Sequence, residues 1–282
     1  MRGKRIKSNI LLFVSLQNTS KVASIQALNL ERQATVKDFC RRKNRIDEPI
    51  NKKKLDNIMV DEKLKILFCY IPKVSCTQWK TVLMQLNPPE HKYYVHSARN
   101  FKFLHVYPKD EVERMLRTYF KFVFVREPFE RLLSAYLEKF NSGDSAFHSN
   151  YGRNIIKRFR PGGNPDHKNV TFDEFLNYVI NIGNGYWNEH WQTYDKLCHP
   201  CGIQYDFIGR FENLQEEANF VFSGLKRSSS VSFPHVQPSS TPSKLPFYYS
   251  QIPRERLDRV LQIFSGDSEM FGYDLPKSVH GS

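Results

Sequence analysis

A long apolar run is the first thing this sequence lacks. Near the amino terminus a basic MRGKRIK leads into Ile10 to Leu16, and the polar Gln17, Asn18 and Thr19 follow at once. A bilayer-spanning helix needs about 20 apolar residues, so this stretch resembles at most a clipped hydrophobic region of a signal sequence. The sequence also has no G-x-x-x-x-G-K-[ST] loop, which disfavours an ordinary P-loop kinase or ATPase. Helix-turn-helix, zinc-finger and ribonucleoprotein motifs are missing, and no internal repeat is evident. The aromatics sit mostly at core-like spacing, so the charge balance alone would support a nucleic-acid-binding protein.

Cysteine is scarce, with five residues. Cys198 and Cys201 form C-H-P-C, which reads as a redox pair, half a zinc site, or two members of separate structural disulfides. No second C-x-x-C supplies the other zinc ligands, which favours disulfides. An odd total leaves at least one cysteine without an intrachain partner, and Cys69, in a buried strand, is the expected one on packing grounds.

What is present suits a globular chain: 282 residues, 40% apolar and 14% aromatic. The net charge of +13 is uneven. Residues 1–60 hold 14 Lys or Arg against 5 Asp or Glu, leaving 28 against 24 for the rest. RRKNR at Arg41 to Arg45 and KKK at Lys52 to Lys54 read either as a polyanion grip or as a solvated linker face. The expected organisation is a basic amino-terminal segment or stem over 1–60, poorly ordered in part, followed by one domain over 61–282.

Two segments carry the same logic. In KILFCYIPKVSCTQWKTVLMQL, Ile66, Leu67, Phe68 and Tyr70 predict a strand that Pro72 ends. Ser75 or Thr77 then caps a helix bearing Trp79, Val82, Leu83 and Leu86. First-turn amides, the helix dipole and the Lys73 ammonium together suit phosphate or sulfate. In YFKFVFVREPFERLLSAYLEKF, Phe122 to Val125 predict a second strand, with Pro128 in the first turn of a helix. Phe129, Leu132, Leu133, Tyr136, Leu137 and Phe140 form that helix's buried face. Arg126 stands at the strand's carboxyl end, where open α/β sheets bind ligands. Ser134 lies two turns on, with Arg131 between, and an arginine fork plus a hydroxyl makes a phosphate clamp.

Further along, PGGNPDHKN (161–169) and SSSVSFPHVQPSSTPSKLP (228–246) read as loops. Helices are expected over Thr171 to Ile180 with Thr171 as cap, Phe211 to Leu225, and Pro253 to Phe264. A strand is expected over Tyr205 to Ile208. Asn18-Thr-Ser and Asn169-Val-Thr are glycosylation sequons, the latter expected to be exposed.

PKVSCTQWK resembles the 5′-phosphosulfate loop, and VREPFERLLSAYLEKF the 3′-phosphate motif, of the Golgi carbohydrate sulfotransferases. Those enzymes act on chondroitin, dermatan, terminal N-acetylgalactosamine and the natural-killer glucuronyl epitope. AFHSNYGRNIIKRFR, VTFDEFLNYVI, NEHWQTYDKLCHPCGIQYDFIGRFENLQEEANFV and MFGYDLP match in the same order, covering roughly Cys40 to Pro276. NEHWQTYDKLCHPC is most similar to the chondroitin and dermatan 4-O-sulfotransferases, whereas CTQWK leans toward the glucuronyl 3-O branch.

The resemblance implies a P-loop-like sulfotransferase fold in the α/β class, a single domain with a central, mostly parallel sheet flanked by helices. It implies 3′-phosphoadenylyl sulfate as donor, no metal, an acidic glycan acceptor and a Golgi-luminal, type II membrane address, with the anchor absent or truncated in this chain. Donor binding falls to Pro72, Lys73, Val74, Ser75, Cys76, Thr77 and Gln78. It falls also to Arg126, Glu127, Pro128, Phe129, Glu130, Arg131, Leu132, Leu133 and Ser134. Lys73 is the expected stabiliser of the leaving oxygen. His190, in N-E-H-W, is the expected general base, with Glu189 as a partner and His96 as runner-up; alternatively His190 and Trp191 simply pack. A catalytically inactive, glycan-binding relative is the reading from a different class, and intact Lys73, Arg126 and Ser134 argue against it.

Overall fold

The computed structural model describes residues 19–91, 93–183, 187–225 and 231–280. The MRGKRIK tail, the Ile10 to Leu16 run and the Asn18 sequon lie outside the described residues. The described residues begin with α1 (Thr19–Arg42), β1 (Ile58–Asp61), β2 (Ile66–Cys69), α2 (Cys76–Leu86), β3 (Lys102–Phe103), α3 (Lys109–Thr118) and β4 (Phe120–Val125). Next come α4 (Pro128–Tyr136), α5 (Ser145–Phe147), α6 (Arg153–Phe159), α7 (Phe172–Ile182) and α8 (Tyr194–Cys198). β5 (Phe207–Arg210), α9 (Leu214–Gly224), α10 (Thr241–Tyr249), α11 (Arg254–Phe271) and α12 (Lys277–His280) complete it. These residues form two compact units. The first takes the chain to Tyr70, then Ser75–Val125 and Cys198–Val236; the second takes Ile71–Val74, Arg126–Leu197 and Gln237 onward.

The first unit is built on a five-stranded sheet of order β3-β1-β2-β4-β5. β2, β4 and β5 run parallel, with Phe68 opposite Phe122 and Phe122 opposite Phe207. β1 adds antiparallel to β2, and β3 antiparallel to β1. The parallel strands read as unbroken apolar runs because both of their faces are covered: β2 is buried throughout, and β4 is buried after Phe120. Trp79 of α2 is fully buried among Phe68, Phe122, Phe124 and Phe233, with ring centroids 4.8–5.6 Å away. Gly209 in β5 answers to this crowding, since a Cβ there would sit 2.2 Å from the Phe124 ring.

α1 belongs to this unit. Its buried Arg32 forms a two-pronged pair with Glu217 of α9 at 2.7 and 2.8 Å and donates to Ile208 O at 2.9 Å. At its carboxyl end Arg41 and Arg42 pair with Asp38 in solvent, where basic residues also complement the helix dipole. Two disulfides, Cys40–Cys201 and Cys69–Cys198, staple the unit, and Cys76 is the cysteine outside both. Cys198 and Cys201 thus serve two separate disulfides, as expected. Cys69 is therefore not the cysteine without an intrachain disulfide. A buried disulfide is itself an apolar object, so burial could not tell it from a lone thiol.

The second unit is helical around one core. Phe129, Leu132, Leu133 and Tyr136 of α4 meet Phe172, Phe175, Leu176 and Val179 of α7. Tyr249 of α10 and Leu257, Val260 and Phe264 of α11 join them. Thr171 caps α7 with a capping box: its hydroxyl accepts the Glu174 amide, and the Glu174 carboxylate accepts the Thr171 amide. Residues 161–169 form the expected loop, and Asn169 is exposed, its side-chain oxygen accepting Arg160 at 2.8 Å. The loop read over 228–246 ends early, because Thr241–Tyr249 is helical. Pro242 falls in the first turn, which tolerates proline, and burial of Leu245 and Tyr249 compensates for Pro246 inside the helix. Among the described residues no helix is long and apolar enough to cross a membrane.

Candidate active site

The segment after β2 is a strained turn. Lys73 has φ +70° and Ser75 φ +55°, left-handed values that side chains with a Cβ seldom adopt. Ser75 occupies the cap position of α2, but its side chain makes no capping bond. Thr77 is not a cap either; its hydroxyl lies 3.1 Å from His96 Nε2. The first amides of any α-helix lack intrahelical acceptors, and here Trp79 N closes back onto Ser75 O at 3.1 Å. Val74 N is already committed to Ile71 O at 3.2 Å.

In the second unit the turn is pinned from two sides. Arg131 is buried, and its guanidinium donates to Pro72 O at 3.1 Å, Gln192 O at 2.6 Å and Glu189 O at 2.7 Å, beneath the Tyr194 ring. Three carbonyls in fixed directions make it a staple of the backbone. Arg126, equally buried, reaches the neighbouring carbonyl, donating from Nη1 to Lys73 O at 3.3 Å. It also donates to Glu130 Oε2 at 3.3 Å and to Ser239 Oγ at 2.9 Å. Tyr194 fixes the Arg126 backbone by donating its hydroxyl to Arg126 O at 2.6 Å. Lys73 and Arg126 are therefore in direct contact through the Lys73 carbonyl. Ser134 is half-buried on α4, whereas Phe129, Leu132 and Leu133 face the core and serve packing. Glu127 caps α4 by accepting the Glu130 amide, with Pro128 behind it in the first turn.

Sequence reasoning did not anticipate the acidic side of the site. The Lys73 ammonium pairs with Glu138 Oε2, and Lys139 holds Glu138 Oε1 at 3.1 Å. Burial would raise the Glu138 carboxyl, but the hydrogen bonds and charges of Lys73 and Lys139 outweigh it and hold the group below its ordinary value. Lys139 also approaches Asp144 at 3.7 Å and lies over the Phe147 ring at 4.6 Å.

His190 packs edge-on against Phe147, with Nδ1 2.6 Å from Asn188 Oδ1. Asn188 Nδ2 donates to Tyr151 OH at 3.0 Å, which fixes the amide's orientation. His190 Nδ1 therefore carries the proton, and Nε2 presents a lone pair. Burial pushes the imidazole down to about 3, with Lys139, Arg131 and Lys73 adding to the effect and Glu138 opposing it. The ring is neutral at physiological pH, as a base must be before it acts.

Within the second unit, then, lie a strained turn bearing Lys73, a buried arginine held to that lysine's carbonyl, and a neutral histidine. The chain belongs to the sulfotransferase family, whose sequence profile matches residues 56–274. It is 34% identical to carbohydrate sulfotransferase 14 of Danio rerio over 94% of this chain and 77% of that one. It is 34% identical to carbohydrate sulfotransferase 11 of Mus musculus over 91% and 79%. With carbohydrate sulfotransferase 10 of Homo sapiens the identity is 33% over 88% and 76%. No solved structure gives a significant match.

Proposed function

We propose that this enzyme transfers the sulfuryl group of 3′-phosphoadenylyl sulfate to the 4-hydroxyl of N-acetylgalactosamine in a chondroitin- or dermatan-type glycan. The observation that carries this is the buried Arg126 guanidinium on the Lys73 carbonyl, which sets an arginine beside the turn that bears the Lys73 ammonium. Sulfuryl transfer needs an in-line arrangement and charge stabilisation on the leaving oxygen. Lys73 supplies that charge, with the Ser75 to Gln78 amides that follow it in the chain. Arg126 and Ser134 take the 3′-phosphate, for which Arg126 gives up Glu130 and Ser239. His190 Nε2 accepts the acceptor hydroxyl's proton while Asn188 holds Nδ1–H. The donor supplies the transferable sulfuryl group and carries its 3′-phosphate as the recognition handle.

Relatives named as carbohydrate sulfotransferases support a glycan acceptor. Two disulfides support an oxidising lumen, and we propose the Golgi. We further propose a catalytic domain over 61–282, to which α1 and β1 of the preceding basic segment are joined by the Arg32–Glu217 pair, the Cys40–Cys201 disulfide and the β1–β2 pairing.

Radiolabelled sulfate transfer onto desulfated chondroitin, desulfated dermatan and glucuronyl-terminated acceptors, followed by disaccharide analysis, tests the acceptor. Label at the 3-hydroxyl of a terminal glucuronate would instead establish the glucuronyl branch, toward which the CTQWK segment leans. Binding of 3′-phosphoadenosine 5′-phosphate, weakened by Lys73→Ala and Arg126→Ala, tests the donor site. His190→Ala should lower turnover and leave that affinity nearly unchanged; normal turnover would remove His190 from the mechanism.

A further inference from the structure

We infer that Glu138 is a positioning residue for Lys73, holding its ammonium in the donor-free protein and competing with the nucleotide's 5′ anionic end for it. The inference rests on the donor-binding role of Lys73 proposed above.

Four observations converge on it. The Lys73 backbone is fixed, its carbonyl held by Arg126 and the preceding carbonyl by Arg131, so the side chain is what remains to be aimed. That side chain is 13% exposed against 51% for Glu138. The lysine is thus the sheltered partner, and the acid is the one with water to retreat into. Glu138 also has a second anchor: Lys139 grips its other oxygen and is itself steadied by Asp144 and the Phe147 ring. Displacing Glu138 from Lys73 therefore leaves the carboxylate paired. Finally, Glu138 lies on a π-helical turn, Leu137–Asn141, which continues α4. Such turns are rare, and they occur frequently at functional sites.

The physical consequence is an exchange. With no donor present, a sheltered ammonium without a counter-ion would carry a desolvation cost, and Glu138 removes it. The 5′ phosphosulfate of an arriving donor, or the 5′-phosphate of the spent nucleotide, presents more oxygens and more negative charge than one carboxylate, so Lys73 passes to it while Glu138 remains on Lys139. No covalent bond changes. When the spent nucleotide departs, Glu138 reclaims the lysine and lowers the cost of release.

An acid that competes in this way weakens nucleotide binding, so its removal tightens it, opposite to what loss of a merely structural residue produces. Titration calorimetry with 3′-phosphoadenosine 5′-phosphate on the whole chain compares wild type, Glu138→Gln, Lys73→Ala and the double variant, with thermal melts confirming that each is folded. Glu138→Gln should lower Kd about threefold to fivefold, the range for a partly exposed ion pair. On the Lys73→Ala background the same change should have no effect. An equal or weaker affinity in folded Glu138→Gln overturns the inference, as does a gain that persists without Lys73. Should wild type not bind the nucleotide, or Lys73→Ala bind it as well as wild type, the donor site itself is wrong. With those two controls sound, a failure of Glu138→Gln falls on Glu138 alone.

Discussion

Asp267→Asn probes a buried carboxyl that underlies the site. Asp267 is 3% exposed on α11, and its Oδ2 accepts the Tyr194 amide at 2.9 Å. Tyr194 in turn holds the Arg126 carbonyl. Burial pushes the carboxyl from its ordinary 3.8 up to about 7, against the Tyr194 and Asp195 amides and the Arg131 charge, which favour the anion. Between those two values the folded chain keeps a proton that the unfolded chain has released, so stability falls as pH rises. The group's contribution is fully present below about pH 4 and gone once pH has passed about 7, a change of about 4 kcal/mol. Asparagine retains an oxygen for the Tyr194 amide and does not titrate. Urea unfolding of both proteins across this range, disulfides intact, gives the difference directly. Subtraction cancels Glu62, Glu138 and Glu174, whose lowered values act in the opposite sense. The stability of wild type minus that of the variant should drop by roughly 1.4 kcal/mol per pH unit between about pH 4 and 7 and level off beyond. A difference that stays flat refutes the buried-carboxyl account.

Unfolded without reductant, the chain should take up one equivalent of maleimide, at Cys76; label at Cys69 would contradict the disulfide pairing. Cys198→Ser releases a link across 129 residues and should cost about 3–5 kcal/mol in chemical denaturation. Arg131→Lys replaces a fork on three carbonyls by one ammonium and should lose about 2–4 kcal/mol, read from the unfolding midpoint. Gly209→Ala drives a methyl into the Phe124 ring and should cost about 1–3 kcal/mol. By nuclear magnetic resonance His190 should stay neutral from pH 5 to 8 in the free protein and titrate upward when the nucleotide adds negative charge; titration near 6.5 without nucleotide would contradict its burial among cations.

Local signals made the frame legible. β2 and β4 are apolar runs because both of their faces are covered, and α4 and α7 show their buried stripes at helical spacing. The Thr171–Glu174 capping box is a four-residue pattern and could be read directly. The places of Lys73 and Arg126 in the chain were legible for the same reason: the apolar runs that form β2 and β4 end shortly before them. What escaped was either long-range or masked by chemistry. Glu138 meets Lys73 across 65 residues of sequence, and no periodicity encodes that pairing. α10 was hidden by its two prolines, whose local cost is offset only by tertiary burial of Leu245 and Tyr249.

The three cationic side chains nearest the turn divide by the partners they keep. Arg131 ends on backbone carbonyls at 2.6–3.1 Å, neutral groups belonging to the chain's own path. A ligand that took this guanidinium would leave buried carbonyls unpaired, at about 1–3 kcal/mol each. Arg126 keeps one such carbonyl, Lys73 O; beyond it, Arg126 and Lys73 hold a carboxylate at 3.3 Å, a serine hydroxyl at 2.9 Å and a half-exposed carboxylate. Those partners are side chains that can turn to water or, for Glu138, to a second lysine, and a phosphate offers charge-assisted bonds in their place. Donor binding should therefore depend strongly on Arg126 and Lys73, whereas Arg131→Lys should act mainly through fold stability. Nucleotide affinity that fell equally in all three variants while their melting points stayed unchanged would erase this division.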